Sequence, residues 1–138
     1  MMSLSSEINW LGSIALVALG VPRPTEEFDE GRVLEVMEAI VASRAWTRKV
    51  ALERDYLTIM DGHHRFEAAR RLGLNRLPCA LFCYDEVEVY SRREGITVTK
   101  EEIISPGLTG ALFPHKTTRH VFRQDNELSC AVPLDLLR

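Results

Sequence analysis

The sequence predicts an α+β fold, a small mixed sheet with packed helices. Three observations carry that expectation. A β-prone run enters Asp61-Gly62-His63-His64-Arg65, an amphipathic helix follows to about Leu72, and a second apolar run, Leu77 to Tyr84, begins after a glycine stop at Gly73. Strand, helix and strand in that order form the minimal unit of a sheet with helices laid on it. The 138 residues, 46% hydrophobic and 27% charged, suffice for one compact core and not for two full domains.

Each element has its own local warrant. Residues 1–12 are polar and weakly patterned and read as a flexible leader, ending near an anchoring Trp10, so a single domain is expected over 13–138. Ser13 to Leu19 is short, apolar and flanked by Gly12 and Gly20, which suggests a buried strand. Pro22 and Pro24 keep the next segment out of a helix. From Glu30 to about Ser43 the residues Val33, Val36, Met37, Ile40 and Val41 recur at helical spacing, with Asp29 and Glu30 at the positive end of the helix dipole. Lys49 to Glu53 and Tyr56 to Met60 read as a hairpin turning at Arg54-Asp55. In the His63–Leu72 helix Phe66, Ala69 and Leu72 are expected to be buried. Thr99 and Glu102 form a capping box ahead of a short helix through Leu108, and His120 to Phe122 with Leu128 to Pro133 read as a closing hairpin.

Composition excludes several functions. With a net charge of −3 and a pI near 5.8, the chain has no global electrostatic reason to bind nucleic acid or an anionic membrane. Its longest apolar run is about eight residues, against the roughly 20 that a membrane span needs, and a cytoplasmic protein is expected. Three scattered cysteines make no disulfide framework. Cys79 and Cys83 on one strand would stand about 13 Å apart, too far to share a metal, and are expected to be buried structural thiols. Oligomeric state is left open, a homo-oligomer included.

The chemistry concentrates in three places. At Asp61-Gly62-His63-His64-Arg65 the glycine clears space and the helix start offers free N–H groups, a natural anion site, with His63, His64 and Arg65 as further donors. Adjacent helical histidines diverge by about 100°, so a shared zinc is disfavoured. An aspartate beside phosphates calls for a divalent cation between them, which makes Asp61 the hint of phosphoryl transfer with Mg2+. The stretch "FPHKTTRH" lacks hydrophobic periodicity and gathers Lys116, Thr117, Thr118, Arg119 and His120, all suited to phosphate oxygens. In "RPTEEFDE" the carboxylates Glu27, Asp29 and Glu30 fit a helix dipole, while one acid in this loop could take a proton from an attacking hydroxyl.

Together, "TEEF", "DGHHRFEAARRLGLNRLPC" and "FPHKTTRH" with the closing "VPLDLL" resemble the ADP-dependent free L-serine kinases of the ParB/sulfiredoxin superfamily, over about 13–138. The resemblance implies a ParB/sulfiredoxin-like nucleotide-binding domain that moves the β-phosphate of ADP to serine, giving O-phosphoserine and AMP. It implies Glu26, with Glu27 as the neighbouring alternative, for the general base and Asp61 for a second catalytic carboxylate acting with Mg2+. Gly62, His63, His64, Arg65, Lys116, Thr117, Thr118, Arg119 and His120 would hold the ADP phosphates. Family members carry a longer segment before the "TTRH" region that helps enclose the amino acid, so a non-catalytic nucleotide-binding regulatory module is the alternative. A sulfiredoxin would need a cysteine where His63 stands, and a ParB-type DNA partner would need a GERR-type box and a DNA-binding domain.

Overall fold

The computed structural model describes residues 7–91, 118–122 and 128–138. Its centre is a five-stranded mixed sheet in the order β1-β2-β6-β4-β5. β1 (Ile8–Leu11) and β2 (Ile14–Ala18) form an antiparallel hairpin, β2 pairs antiparallel with β6 (Arg76–Phe82), β6 runs parallel to β4 (Val50–Glu53), and β4 pairs antiparallel with β5 (Ile59–Asp61). Ile8–Leu11 lie inside the stretch read from sequence as a leader and instead supply an edge strand; their backbone groups pair with β2 although Trp10 and Leu11 stay exposed.

Alternation along the central strands divides the core. Val50, Leu52, Ile59, Leu77 and Cys79 face α1 (Glu30–Ser43) and α2 (His63–Arg71), meeting Val33, Val36, Ile40, Phe66, Ala68 and Ala69. Ala51, Met60 and Phe82 face the other way, toward Tyr84, Val87, Phe122 and Leu128. The α1 stripe is narrower than the spacing suggested, since Val41 is exposed. Asp29 caps α1 by accepting the Arg32 N–H at 3.2 Å, and Arg44 ends it in the left-handed region. In α2 Glu67 is buried as well, its carboxylate held by Arg70 at 2.6 Å and Arg71 at 3.0 Å. Gly73 supplies the expected stop, with φ of +72° and the Leu74 N–H bonded to Ala69 O at 3.1 Å.

Two expectations change in detail. The β4–β5 turn is longer than Arg54-Asp55: Glu53 is buried and accepts the N–H groups of Asp55 and Tyr56, so the chain stays folded on itself until Ile59. β6 ends at Phe82, leaving Cys83 half-buried beyond it with its thiol 3.5 Å from Asp85, while Cys79 is fully buried.

The closing hairpin does not form. β8 (Thr118–Phe122) pairs antiparallel with β7 (Val87–Ser91), and β9 (Ser129–Pro133) pairs antiparallel with β3 (Ala45–Arg48). Alternation identifies a strand but not its partner, and on β3 the β9 residue Val132 is buried opposite Trp46. After β9 a 3-10 turn, Leu134–Leu136, brings Leu137 O to the N–H groups of Asn75 and Arg76. The short helix expected over 99–108 lies outside the described residues. Among those described, no helix is long and apolar enough to cross a membrane.

Candidate functional site

The site is built on the β5–α2 junction. Gly62 takes φ of +110°, and a Cβ there would meet the Val50 side chain at 3.0 to 3.3 Å, so glycine is required by both the turn and the close packing. Among the described residues no side chain caps the helix start. The first N–H groups of α2 are therefore left to another acceptor, which is how helix N-termini receive anions.

His63 does something the sequence did not reveal. It is buried, and its Nε2 accepts the backbone N–H groups of Thr25 at 3.0 Å and Glu26 at 3.1 Å. The Thr25 hydroxyl, 3.1 Å from the same nitrogen, donates to Ile59 O at 3.0 Å. Two N–H donors converging on Nε2 fix it as the unprotonated nitrogen. Burial foremost, then the nearby His120 and His64, push the imidazole down to about 3, so it is neutral at physiological pH. His63 is thus a latch that draws the Thr25–Glu26 loop onto the start of α2. His64 repeats the device outside, with Nε2 accepting the Asp29 N–H at 3.0 Å and so joining the starts of α1 and α2.

Burial separates the two adjacent acids of the loop: Glu26 is 7% exposed and Glu27 is at the surface. Glu30 forms a two-pronged ion pair with Arg71, at 2.5 and 2.6 Å, and Arg71 also lies over the Phe28 ring, so that the start of α1 and the loop before it are tied to the far end of α2. Asp61, half-exposed at the end of β5, stands 3.6 Å from Arg48. Arg65 is partly buried, which lowers its ordinary basicity; Asp61 counters that effect while Arg48 and Arg32 add to it. Arg65 thus feels two further guanidiniums and one carboxylate, a surplus of positive charge that suits an anion.

The second cluster joins the first through β8, which lies against β5. His120 stands between Tyr84 and Phe122, with Nε2 2.9 Å from the Tyr84 hydroxyl, and is near enough to His63 to oppose its protonation. Thr118 and Arg119 are placed by backbone in β8, opposite Ser91 and Tyr90. Lys116 and Thr117 lie outside the described residues. Sequence reasoning missed Thr25, Arg32 and Arg48. Thr25 was visible in "TEEF", but no local pattern marks the two arginines, which reach the site through α1 and β3. Among the described residues no group of three or more His, Cys, Asp or Glu side chains is placed to hold a metal.

No family model matches the chain, and no curated protein matches it in sequence. Solved structures do match. Free serine kinase in complex with AMP superposes with a TM-score of 0.79 at 17% identity, over 91% of this chain and 94% of that one. The fold is that of the free serine kinases. A glutamate-to-alanine variant of free serine kinase in complex with ADP gives 0.79 at 16% identity, over 92% and 95% of the two chains. A conserved hypothetical protein from Pyrococcus furiosus gives 0.80 at 17%, over 92% and 98%. SbnI with a C-terminal truncation, from Staphylococcus aureus, gives 0.78 at 13%, over 100% and 92%. At these identities the likeness is one of fold, and it bears out the α+β architecture, a mixed sheet with packed helices, that the sequence predicted.

Proposed function

We propose that this chain is a small-molecule kinase that transfers the β-phosphate of ADP to the hydroxyl of free L-serine with Mg2+, giving O-phosphoserine and AMP, within one cytoplasmic nucleotide-binding domain. The observation that carries the reading is the His63 latch, by which Nε2 gathers the Thr25 and Glu26 amides onto the α2 N-terminus. A buried glutamate is thereby tethered beside an anion-accepting helix start, and phosphoryl transfer depends mainly on such positioning and on neutralising oxygen charge.

In this reading the α2 N–H groups and the Gly62 turn receive the ADP phosphates, with Arg65 and the β8 residues Thr118, Arg119 and His120 completing the cradle alongside Lys116 and Thr117. His64 holds α1 in place through Asp29. Glu26 takes the proton from the serine hydroxyl as its oxygen attacks the β-phosphorus, and the bond from that phosphorus to the bridging oxygen breaks as AMP leaves. Asp61 suits Mg2+, because that ion is commonly held by one or two carboxylates plus substrate phosphates, and Asp61 is half-exposed at the helix start. Bound there, Mg2+ would supply charge neutralisation on the transferring group.

The test is incubation with serine, Mg2+ and either ADP or ATP, with O-phosphoserine and AMP measured. Turnover from ADP that vanishes in Glu26→Gln and Asp61→Asn supports the kinase. Nucleotide binding without turnover on a panel of hydroxylated acceptors would instead indicate a regulatory nucleotide-binding module, and absence of nucleotide binding would overturn both.

A further inference from the structure

On the sheet face turned away from the helices, beside the tip of the β1–β2 hairpin, lies a cavity of about 540 Å³ whose lining includes Trp10, Ser13, Lys49, Phe82 and Ser129. Its volume falls in the range of small-molecule pockets, about 300 to 1,000 Å³. Its charge is unusual. Lys49 is 8% exposed, yet among the described residues no carboxylate pairs with it and no acceptor bonds its ammonium. The ionisable neighbour that senses its charge is Cys130, a thiol that burial keeps in the neutral form and that cannot serve as a counter-ion. With its stem covered, Lys49 offers its ammonium at the wall of the cavity that it lines.

The rest of the lining says which anion. Among the described lining residues Lys49 is the one cation, so a single negative charge is matched and a phosphate dianion is not. Phe82 and the aromatic face of Trp10, 62% exposed, suit an apolar body, while Ser13 and Ser129 offer hydroxyls at the rim. We propose that this cavity is a binding site for a small organic monocarboxylate, with Lys49 as its counter-charge and Trp10 as its wall. The site does not depend on the nucleotide reading, because none of its lining residues belongs to the β5–α2 junction.

Trp10 provides the readout, since the second tryptophan, Trp46, is 1% exposed and insulated from added ligand. Phenylacetate is titrated into the full chain while tryptophan emission and backbone amide shifts are followed. The neutral isostere phenylacetamide and inorganic phosphate serve as comparators. Saturable change at Trp10, Ser13 and Ser129 with phenylacetate, and affinity lower by about tenfold or more for phenylacetamide and in Lys49→Met, is the expected result. Equal affinity for acid and amide, tighter binding of phosphate, or no saturable change in this cavity would overturn the proposal. If Lys49→Met fails to fold, the acid–amide comparison in the unaltered protein still decides.

Discussion

Acidification should loosen the Thr25–Glu26 loop through a single proton on His63. In the folded chain that imidazole sits at about 3, against an ordinary 6.5. The folded pKa is depressed, so unfolded molecules bind the proton first. The stabilisation is complete above the unfolded value and is lost as pH falls from about 6.5 toward 3, at about 1.4 kcal/mol per unit. At about pH 5 the loss from this residue alone is about 2 kcal/mol, a large share of a small domain's stability. Urea unfolding at neutral pH and near pH 5 measures the total, and His63→Gln isolates this contribution. Gln keeps an acceptor oxygen for the Thr25 and Glu26 amides and cannot titrate. The variant should be less stable than the unaltered chain at neutral pH but should lose about 2 kcal/mol less on acidification. Equal losses in the two proteins would refute the assignment of His63 as a neutral buried acceptor.

The remaining expectations concern the same junction. Gly62→Ala must adopt φ near +110° and press a methyl against Val50, costing about 2 kcal/mol or more in chemical denaturation; Val50→Ala in the same chain should recover part of that loss. Thr25→Val and Thr58→Val should differ in sign. The first removes a hydroxyl that donates to Ile59 O and should cost about 1 to 2 kcal/mol, whereas the Thr58 hydroxyl is buried without a partner among the described residues, so its replacement should be neutral or stabilising by about 1 kcal/mol. Under the proposed kinase reaction, Glu26→Gln should lower kcat by about 10²- to 10⁴-fold with nucleotide affinity retained, while Glu27→Gln leaves kcat within about threefold.

What the sequence made legible followed its local periodicities. The helix over Glu30–Ser43, the glycine stop at Gly73 and the strand–turn–helix at Asp61–Arg65 all emerge where a short-range pattern has one physical solution. Partnership between distant segments was not legible. The alternation in 128–133 was read correctly as a strand, yet its pairing with β3 depends on Trp46, which no spacing connects to it. The same reason hid the role of His63. In sequence it is one donor among several beside a glycine; in the fold its acceptor nitrogen is taken by the amides of a loop 37 and 38 residues away. Arg48 was hidden for a different reason: it lies just before β4, and only the β4–β5 register, with Ala51 opposite Asp61, brings it to that carboxylate.

The β3–β9 pairing has a kinetic side. β3 and β9 join positions as far apart as Ala45 and Pro133, and the Cys130 thiol donates to Trp46 O across 84 residues. Contacts of such long sequence separation are slow to form, because loop closure must be achieved before any pairing compensates for it. The seating of Trp46 opposite Val132 is therefore among the last contacts to form. In a refolding experiment the burial of Trp46 should trail the recovery of helical signal, so that the molecule winds its helices before it closes this outer seam.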